Sequence, residues 1–252
     1  MTGYLYETHL HTSEASACGK VSGSDYIDFM MGRGFSGMFV TDHFFNGNSS
    51  VPQYFPWEKK VERYVAGYRK ALEAARGKDF DVLFGVEYNF HGDEYLIYGV
   101  DETWLLHNDD IMRCSKEEVY RRVHQAEGIM IQAHPYRERN YLTDIRLTPA
   151  ICDGIEVFNS ANPDNQNALA YQYAQELKVP MTAGSDIHFF HDDAMGGMLF
   201  PERIRSPKEY VDALLGQEGI PVRVHNGEIR AVSEIPELTE PKENPTLPVL
   251  HF

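Results

Sequence analysis

The stretch GYLYETHLH, residues 3–11, decides how the rest of the chain is read. It begins as a β-like run and ends in His9-Leu10-His11. In an extended segment residues i and i+2 point the same way, so both imidazoles can reach one cation. Working outward, the same event recurs. Gly37-Met38-Phe39-Val40-Thr41 stops at Asp42-His43, Asp81 to Val86 at Glu87, and Ile129 to Ala133 at His134-Pro135. Gly154 to Phe158 ends at Asn159, and Met181 to Ser185 ends at Asp186-Ile187-His188. Helical patterns lie between these runs. From about 57 to 75, Val61, Tyr64, Val65, Tyr68, Leu72 and Ala75 keep the spacing of one helix face. Ser115 has capping-box spacing to Glu118 and opens another helix, which Gly128 ends. Two more are expected at about 165–178 and 207–215. A run at 95–100 is placed to pair with the third strand.

Strand followed by helix, repeated, means parallel strands with crossover helices. Neither a Gly-x-Gly-x-x-Gly nor a P-loop pattern follows any strand, which lowers the nucleotide-binding open sheets. In a parallel barrel all strand ends converge on one face, where barrel active sites are built. We therefore expect one α/β domain over 1–232, with an acidic, Pro-rich tail over 233–252 that is extended on the body or partly disordered. A mixed imidazole and carboxylate set suits Zn²⁺, Fe²⁺ or Mn²⁺, and a carboxylate such as Glu87 can bridge two ions.

Composition narrows the classes. The 252 residues are 42% hydrophobic and 24% charged, which fits a globular protein with a sizeable core. Lys and Arg number 23 against 38 Asp and Glu, a net charge of −15. That balance argues against long nucleic acid, which needs a basic face, but not against a small anion held through bound cations. No run reaches the roughly 18 apolar residues of a membrane span, and the N-terminus lacks a signal-like apolar region. Three scattered cysteines make no disulfide framework, so a cytoplasmic location is the expectation.

The ordered segments THLHTSE (8–14), VTDHF (40–44), FGVEYNF (84–90), QAHPYR (132–137), DGIEVFN (153–159) and TAGSDIH (182–188) resemble the PHP family. These are the metal-dependent phosphoesterases named for polymerase and histidinol phosphatase. The resemblance implies a distorted (β/α)7 TIM-like barrel with two or three divalent ions (Zn, Fe or Mn) at the strand ends. It implies that His9, His11, Glu87 and Asp186 hold one ion, that Glu87 and His134 hold a second, and that His43 and His188 bind a third. Asp42 would orient an imidazole from outside. The family often places a His or Asp before a glycine after its first motif, where this chain has Cys18-Gly19. Glu14 is four residues earlier and is the expected ligand, because a carboxylate suits these ions better than a thiolate, with Cys18 as the alternative. Glu94 or His91 would complete the second site.

The resulting expectation is a phosphatase acting on a small phosphorylated metabolite by a metal-bound hydroxide, with Asp186 and His188 as catalytic residues and His188 as proton donor. Arg137 is expected on the substrate phosphate, with Lys20 or Arg139 assisting. Rival readings are an amidohydrolase-like enzyme, a nuclease for short oligonucleotides, and an inactive regulatory module. The first usually needs a metal-bridging lysine, and no Lys ends a strand here.

Overall fold

Apolar runs that stop at an ionisable residue do so because the sheet ends there and the chain turns into a polar cluster. The computed structural model describes residues 2–252. In chain order the elements are β1 (Tyr4–Glu7), α1 (Tyr26–Gly32), β2 (Gly37–Val40), α2 (Trp57–Tyr64), α3 (Ala66–Ala74), β3 (Asp81–Phe90) and β4 (Asp93–Tyr98). Next come α4 (Glu102–Leu106), α5 (Lys116–Gln125), β5 (Ile129–Gln132), β6 (Ile145–Leu147), β7 (Gly154–Asn159), α6 (Asp164–Leu177) and β8 (Met181–Gly184). The chain finishes with β9 (Met195–Phe200), α7 (Pro207–Leu215), β10 (Ile220–His225), β11 (Glu228–Ala231), α8 (Pro236–Thr239) and β12 (Val249–His251).

Ten strands form one curled sheet in the order β11-β10-β9-β1-β2-β3-β4-β5-β7-β8. The curl brings the chain beyond β8 back to the chain beyond β1. There Leu10 and Ile187 form a parallel bridge, and His11 N–H donates to the Ile187 carbonyl at 3.0 Å. The pairings β1–β2, β2–β3, β5–β7 and β7–β8 are parallel. Those involving β4 and β9 to β11 are antiparallel.

The sheet thus differs from an even (β/α)7 succession. The chain passes from β3 to β4 through His91 (φ 55°) and Gly92 (φ 104°). Two residues in the left-handed region make the tight turn of a hairpin, so no crossover helix is needed and β4 enters antiparallel. β9 to β11 add an antiparallel meander outside that succession. The helical pattern at 57–75 divides at Val65 (φ −80°, ψ 2°) into α2 and α3. Gly67 then lies against Thr12, where a β-carbon would meet Thr12 Oγ1 at 2.1 Å. Only a glycine lets this helix back the His-x-His segment so closely. Tyr64 Oη reinforces the contact by donating to the Asp42 carbonyl at 2.5 Å.

The tail lies on the body. β12 pairs in parallel with β6, and Asn165 Oδ1 accepts from the backbone of Lys242 and Glu243. Among the described residues, no helix is long and apolar enough to cross a membrane.

Candidate metal centre

Glu87, on β3, stands among four imidazoles delivered by three other strand ends: His9 and His11 after β1, His43 after β2 and His134 after β5. Its Oε1 is 3.1 Å from His9 Nε2 and 3.3 Å from His134 Nε2. Its Oε2 is 2.5 Å from His43 Nδ1 and 3.5 Å from His11 Nε2. Asp186 Oδ1 adds a contact of 3.1 Å to His11 Nε2 and one of 3.5 Å to His9 Nε2. Glu94 Oε2 lies 3.5 Å from His134 Nε2. The ring of His188 stacks on that of His11 with centroids 4.3 Å apart. Four sets of donors have ligand atoms within 4.8 Å of one another: His9/His11/Asp186, His9/Glu87/His134, His43/Glu87/Glu94 and His11/His43/His188.

Three of the rings are held from behind. His9 Nδ1 pairs with Glu156 Oε1 at 2.9 Å. His11 Nδ1 meets Ser16 Oγ at 3.1 Å, and Ser16 Oγ donates to Asp42 Oδ1 at 2.6 Å. His188 Nδ1 donates to the Asp186 carbonyl at 2.7 Å. Holding one ring nitrogen as a donor leaves the other bare, the arrangement metal-bound histidines use. His9 Nε2, His11 Nε2, His43 Nδ1 and Glu87 Oε2 are buried and make no hydrogen bond. Such groups cost on the order of 1–3 kcal/mol each when left unsatisfied. A divalent cation among them would satisfy them all, and a mixed nitrogen and oxygen donor set fits Zn²⁺, Fe²⁺ or Mn²⁺.

The electrostatics agree. Glu7, Glu87, Glu156 and Asp186 are buried, and Glu94 is nearly so. Among the described residues, the arginine paired with them is Arg137, 2.7 Å from Asp186 Oδ2. Burial alone pushes Glu7 up to about 7 and Asp42 up to about 6, despite the hydrogen bonds each accepts. For Glu87, burial is outweighed by His43, His9 and His11, which hold the carboxyl well below the usual range. For Asp186, burial is outweighed by His9 and Arg137 with the same result. Burial and the neighbouring His43 push His11 down to about 3, which keeps its nitrogen free for an ion. His134 (φ 30°) and Asp186 (φ 55°) both occupy the left-handed region without being glycine. Backbone strain of this kind, about 1–3 kcal/mol each, persists where surrounding structure fixes a functional side chain.

The structure therefore brings together His9, His11, His43, Glu87, His134, Asp186 and His188. Glu14 is not among them. Its carboxylate accepts from Ser22 Oγ at 2.6 Å and Gly23 N–H at 3.2 Å, and pairs with Lys70 at 2.8 Å. The turn after His11 carries residue 14 outward toward α3, and the ligand expectation placed on Glu14 is corrected accordingly. Cys18 lines the cleft together with His188 instead. Burial raises its thiol, but the neighbouring His188 and His43 outweigh it and bring it down to about 6.

Glu94, rather than His91, faces the cluster, because β4 pairs with β3 and sets Glu94 opposite Asn89. Arg137 is also placed differently from the expectation. Besides Asp186 it donates to Asn162 Oδ1 at 2.7 Å and Asn159 Oδ1 at 2.9 Å. It braces Asp186 instead of standing free for a phosphate.

Two carboxylates were missed. Glu156 accepts from His134 N–H and Asn159 Nδ2, each at 3.0 Å, besides pairing with His9. Glu7 accepts from His9 N–H at 2.7 Å and Ser185 N–H at 2.9 Å. The signal for Glu156 was a lone carboxylate between Ile155 and Val157 in an apolar run. Beside the cluster opens a cleft of about 460 Å³, lined in part by Cys18, Lys20, Asp186, His188, Phe189 and His191.

The PHP-associated family matches residues 164–217. Among solved structures, a two-domain protein from Bacteroides vulgatus containing a predicted PHP-like metal-dependent phosphoesterase is similar at TM-score 0.65 and 14% identity, covering 95% of this chain and 70% of that one. An amidohydrolase from Chromobacterium violaceum with bound sulfate is similar at TM-score 0.51 and 15% identity, covering 73% and 87%. The lesion-specific endonuclease EndoQ from Pyrococcus furiosus is similar at TM-score 0.55 and 13% identity, covering 85% and 56%. No curated protein matches the chain. At such identities these structures share its fold and nothing finer. The PHP-associated match covers a stretch of the chain that includes the last of the ordered motifs between residues 8 and 188, which resemble those of the PHP family.

Proposed function

We propose that the protein is a metal-dependent phosphoesterase that hydrolyses a small phosphomonoester. The observation that carries this reading is the set of bare, buried ligand atoms around Glu87, opening on a cleft of metabolite size. Likeness in fold to PHP-like phosphoesterases supports it, as does the curl of the sheet, which we read as a distorted barrel closed by the Leu10–Ile187 bridge.

His9, His11, Glu87 and Asp186 would hold one ion, Glu87, His134 and Glu94 a second, and His43 and His188 a third. Bound divalent ions polarise phosphoryl oxygens and acidify water, which supplies the electrophilic side of the chemistry. The chain's own residues do the rest. Glu156, Ser16 and the Asp186 carbonyl fix the imidazole tautomers. Arg137 keeps Asp186 ionised and in place. Lys20 supplies a cation on the cleft wall for the substrate anion. His188 has one nitrogen committed to the Asp186 carbonyl, and the other cannot both hold an ion and carry a proton. The proton-donor role passes to His191, the other imidazole lining the cleft.

The test is elemental analysis followed by a phosphatase screen over a metabolite panel. Chelator-stripped protein would be reloaded separately with Mn²⁺, Zn²⁺ and Fe²⁺, with a short oligonucleotide as a further arm. Turnover of a phosphomonoester is expected. Cleavage of the oligonucleotide alone would favour the nuclease reading, and failure to bind any transition ion at neutral pH would overturn the proposal.

A further inference from the structure

One wall of the cleft belongs to a loop, residues 189–194, that joins His188 to β9 and is neither helix nor strand. A segment with so little of its own structure opens readily unless something outside holds it. Here α1 does. Arg33 Nη2, just past the end of that helix, donates to the His191 carbonyl and to Asp192 Oδ1, each at 2.8 Å. Among the described residues, no other hydrogen bond reaches 189–194. Phe29 is four residues before Arg33 and shares its side of the helix. The guanidinium lies 3.6 Å from the centroid of the Phe29 ring, and Phe29 stacks on Phe190 with centroids 4.4 Å apart. Tyr26 meets Phe190 edge-on at 5.6 Å. Phe190 is thereby held against α1, while its neighbour Phe189 is left on the cleft with 56% of its surface exposed. The ring of Phe189 touches that of His191, also on the cleft, edge-on at 5.8 Å. The remainder of this wall has no hydroxyl to offer a polyol. Ser160 Oγ donates to the Ser185 carbonyl at 2.8 Å, and Ser185 Oγ to the Gly196 carbonyl at 3.3 Å, so both hydroxyl hydrogens are committed to backbone. Ala161 and Ile187 beside them are apolar.

We infer that Phe189 is a specificity-determining residue against which an apolar face of the substrate's leaving group packs, and that Arg33 is the positioning residue that holds it there. This rests on the phosphoesterase reading above and adds to it the character of the alcohol side of the ester. Consecutive residues are about 3.8 Å apart along the chain, so a phosphoryl group at His188 brings its leaving group within reach of Phe189. A flat apolar group gains contact with the phenyl face, which a hydroxyl-covered sugar does not. Arg33 touches neither substrate nor cluster and acts through the loop. Without the guanidinium, residues 189–194 lose their hydrogen bonds and the Phe29–Phe190 stack loses its cation. Phe189 must then be ordered at the moment of binding, which uses up part of the affinity.

Phenylphosphonate and methylphosphonate carry the same anionic head, differ by the ring, and have no ester bond to hydrolyse. Calorimetric titration of the full, Zn²⁺-loaded chain with each gives an affinity ratio that needs no turnover. The wild type should prefer phenylphosphonate about three- to tenfold. Phe189→Ala should bring the ratio close to one without changing the affinity for methylphosphonate, and Phe189→Tyr should keep the preference. Arg33→Met should lower the ratio at least about twofold, and Arg33→Lys should restore part of it. In the Arg33→Met/Phe189→Ala double variant the ratio should fall no further than in Phe189→Ala, because Arg33 acts through that ring. A wild-type ratio near one, or a preference that survives Phe189→Ala, would overturn the inference. So would a preference that survives Arg33→Met, or a further fall in the double variant, either of which removes the positioning role. In all four cases both phosphonates still bind, and the phosphoesterase reading stands. Loaded protein that binds neither phosphonate would overturn both.

Discussion

In Glu156→Gln, the carboxylate oxygen that accepts from His9 Nδ1 at 2.9 Å becomes part of an amide, with the fold of β7 undisturbed. The amide has one oxygen, and two other donors compete for it: His134 N–H and Asn159 Nδ2, each now 3.0 Å from Glu156 Oε2. Its NH₂ group is then turned to His9. Two donors cannot face each other, so His9 adopts the other tautomer, with Nδ1 accepting and Nε2 carrying the hydrogen. That hydrogen points at Glu87 Oε1, 3.1 Å away, in the direction a metal ion would take. Metal binding must first reverse the tautomer against the amide.

Losing a partner of this kind costs about 10- to 100-fold in metal affinity, or about 1.4–2.7 kcal/mol. The stripped protein should fare differently. The new His9–Glu87 hydrogen bond satisfies His9, and one negative charge leaves a cluster that also contains Glu7, Glu87, Glu94 and Asp186. Its melting temperature should hold or rise. At saturating Zn²⁺, however, the stabilisation conferred by the ion should shrink by the same 1.4–2.7 kcal/mol or so, since ligand stabilisation follows the logarithm of affinity. Zinc affinity from chelator competition, paired with thermal melts of stripped and loaded protein, measures both. A zinc affinity within about twofold of wild type would refute the positioning role. So would equal losses of stability in the two states, which would make Glu156 merely structural.

Other outcomes follow from the same geometry. Glu87→Gln should lose most bound metal and lower the phosphatase rate by at least about 10²-fold, with an unchanged far-ultraviolet circular dichroism spectrum; normal activity in the metal-poor variant would remove Glu87 from the centre. Glu14→Gln should keep metal content and rate and change stability by less than about 1 kcal/mol, because Lys70 is more than half exposed. An ion lost from that variant would reinstate the sequence-based expectation. Arg137→Met strips the cation from a buried pair, with side chains 12% and 3% exposed, and should cost the stripped protein about 3–5 kcal/mol. Saturating Zn²⁺ should recover part of that loss, as read by urea unfolding; an equal loss with and without the ion would deny the compensation. Chelation of the wild type should lower its melting temperature, and Zn²⁺ at a hundredfold excess over Kd should return about 2.7 kcal/mol.

How much of this was legible in the chain depends on whether the signal was local. The positions of His9, His11, His43, Glu87, His134, Asp186 and His188 could be read because each closes an apolar run. A strand must end where a charged side chain can no longer be buried without a partner, so the sequence itself marks the rim of the sheet. The Ser115 cap is local in the same way, and Ser115 Oγ does accept from Glu118 N–H at 3.3 Å. What turned on long-range contacts could not be read. The choice between Glu14 and Cys18 hung on which way one turn falls, and that was set by Lys70 on α3, 56 residues away in sequence. Arg137 looked free because nothing near it in sequence names Asn159, Asn162 or Asp186 as partners. Glu156 looked like an ordinary polar residue in a strand until curling of the sheet brought β7 beside His9, 147 positions earlier. Sequence fixes which residues are costly to bury. Only the closed geometry of the sheet decides which of them meet, because the charges that satisfy them come from strands far apart along the chain.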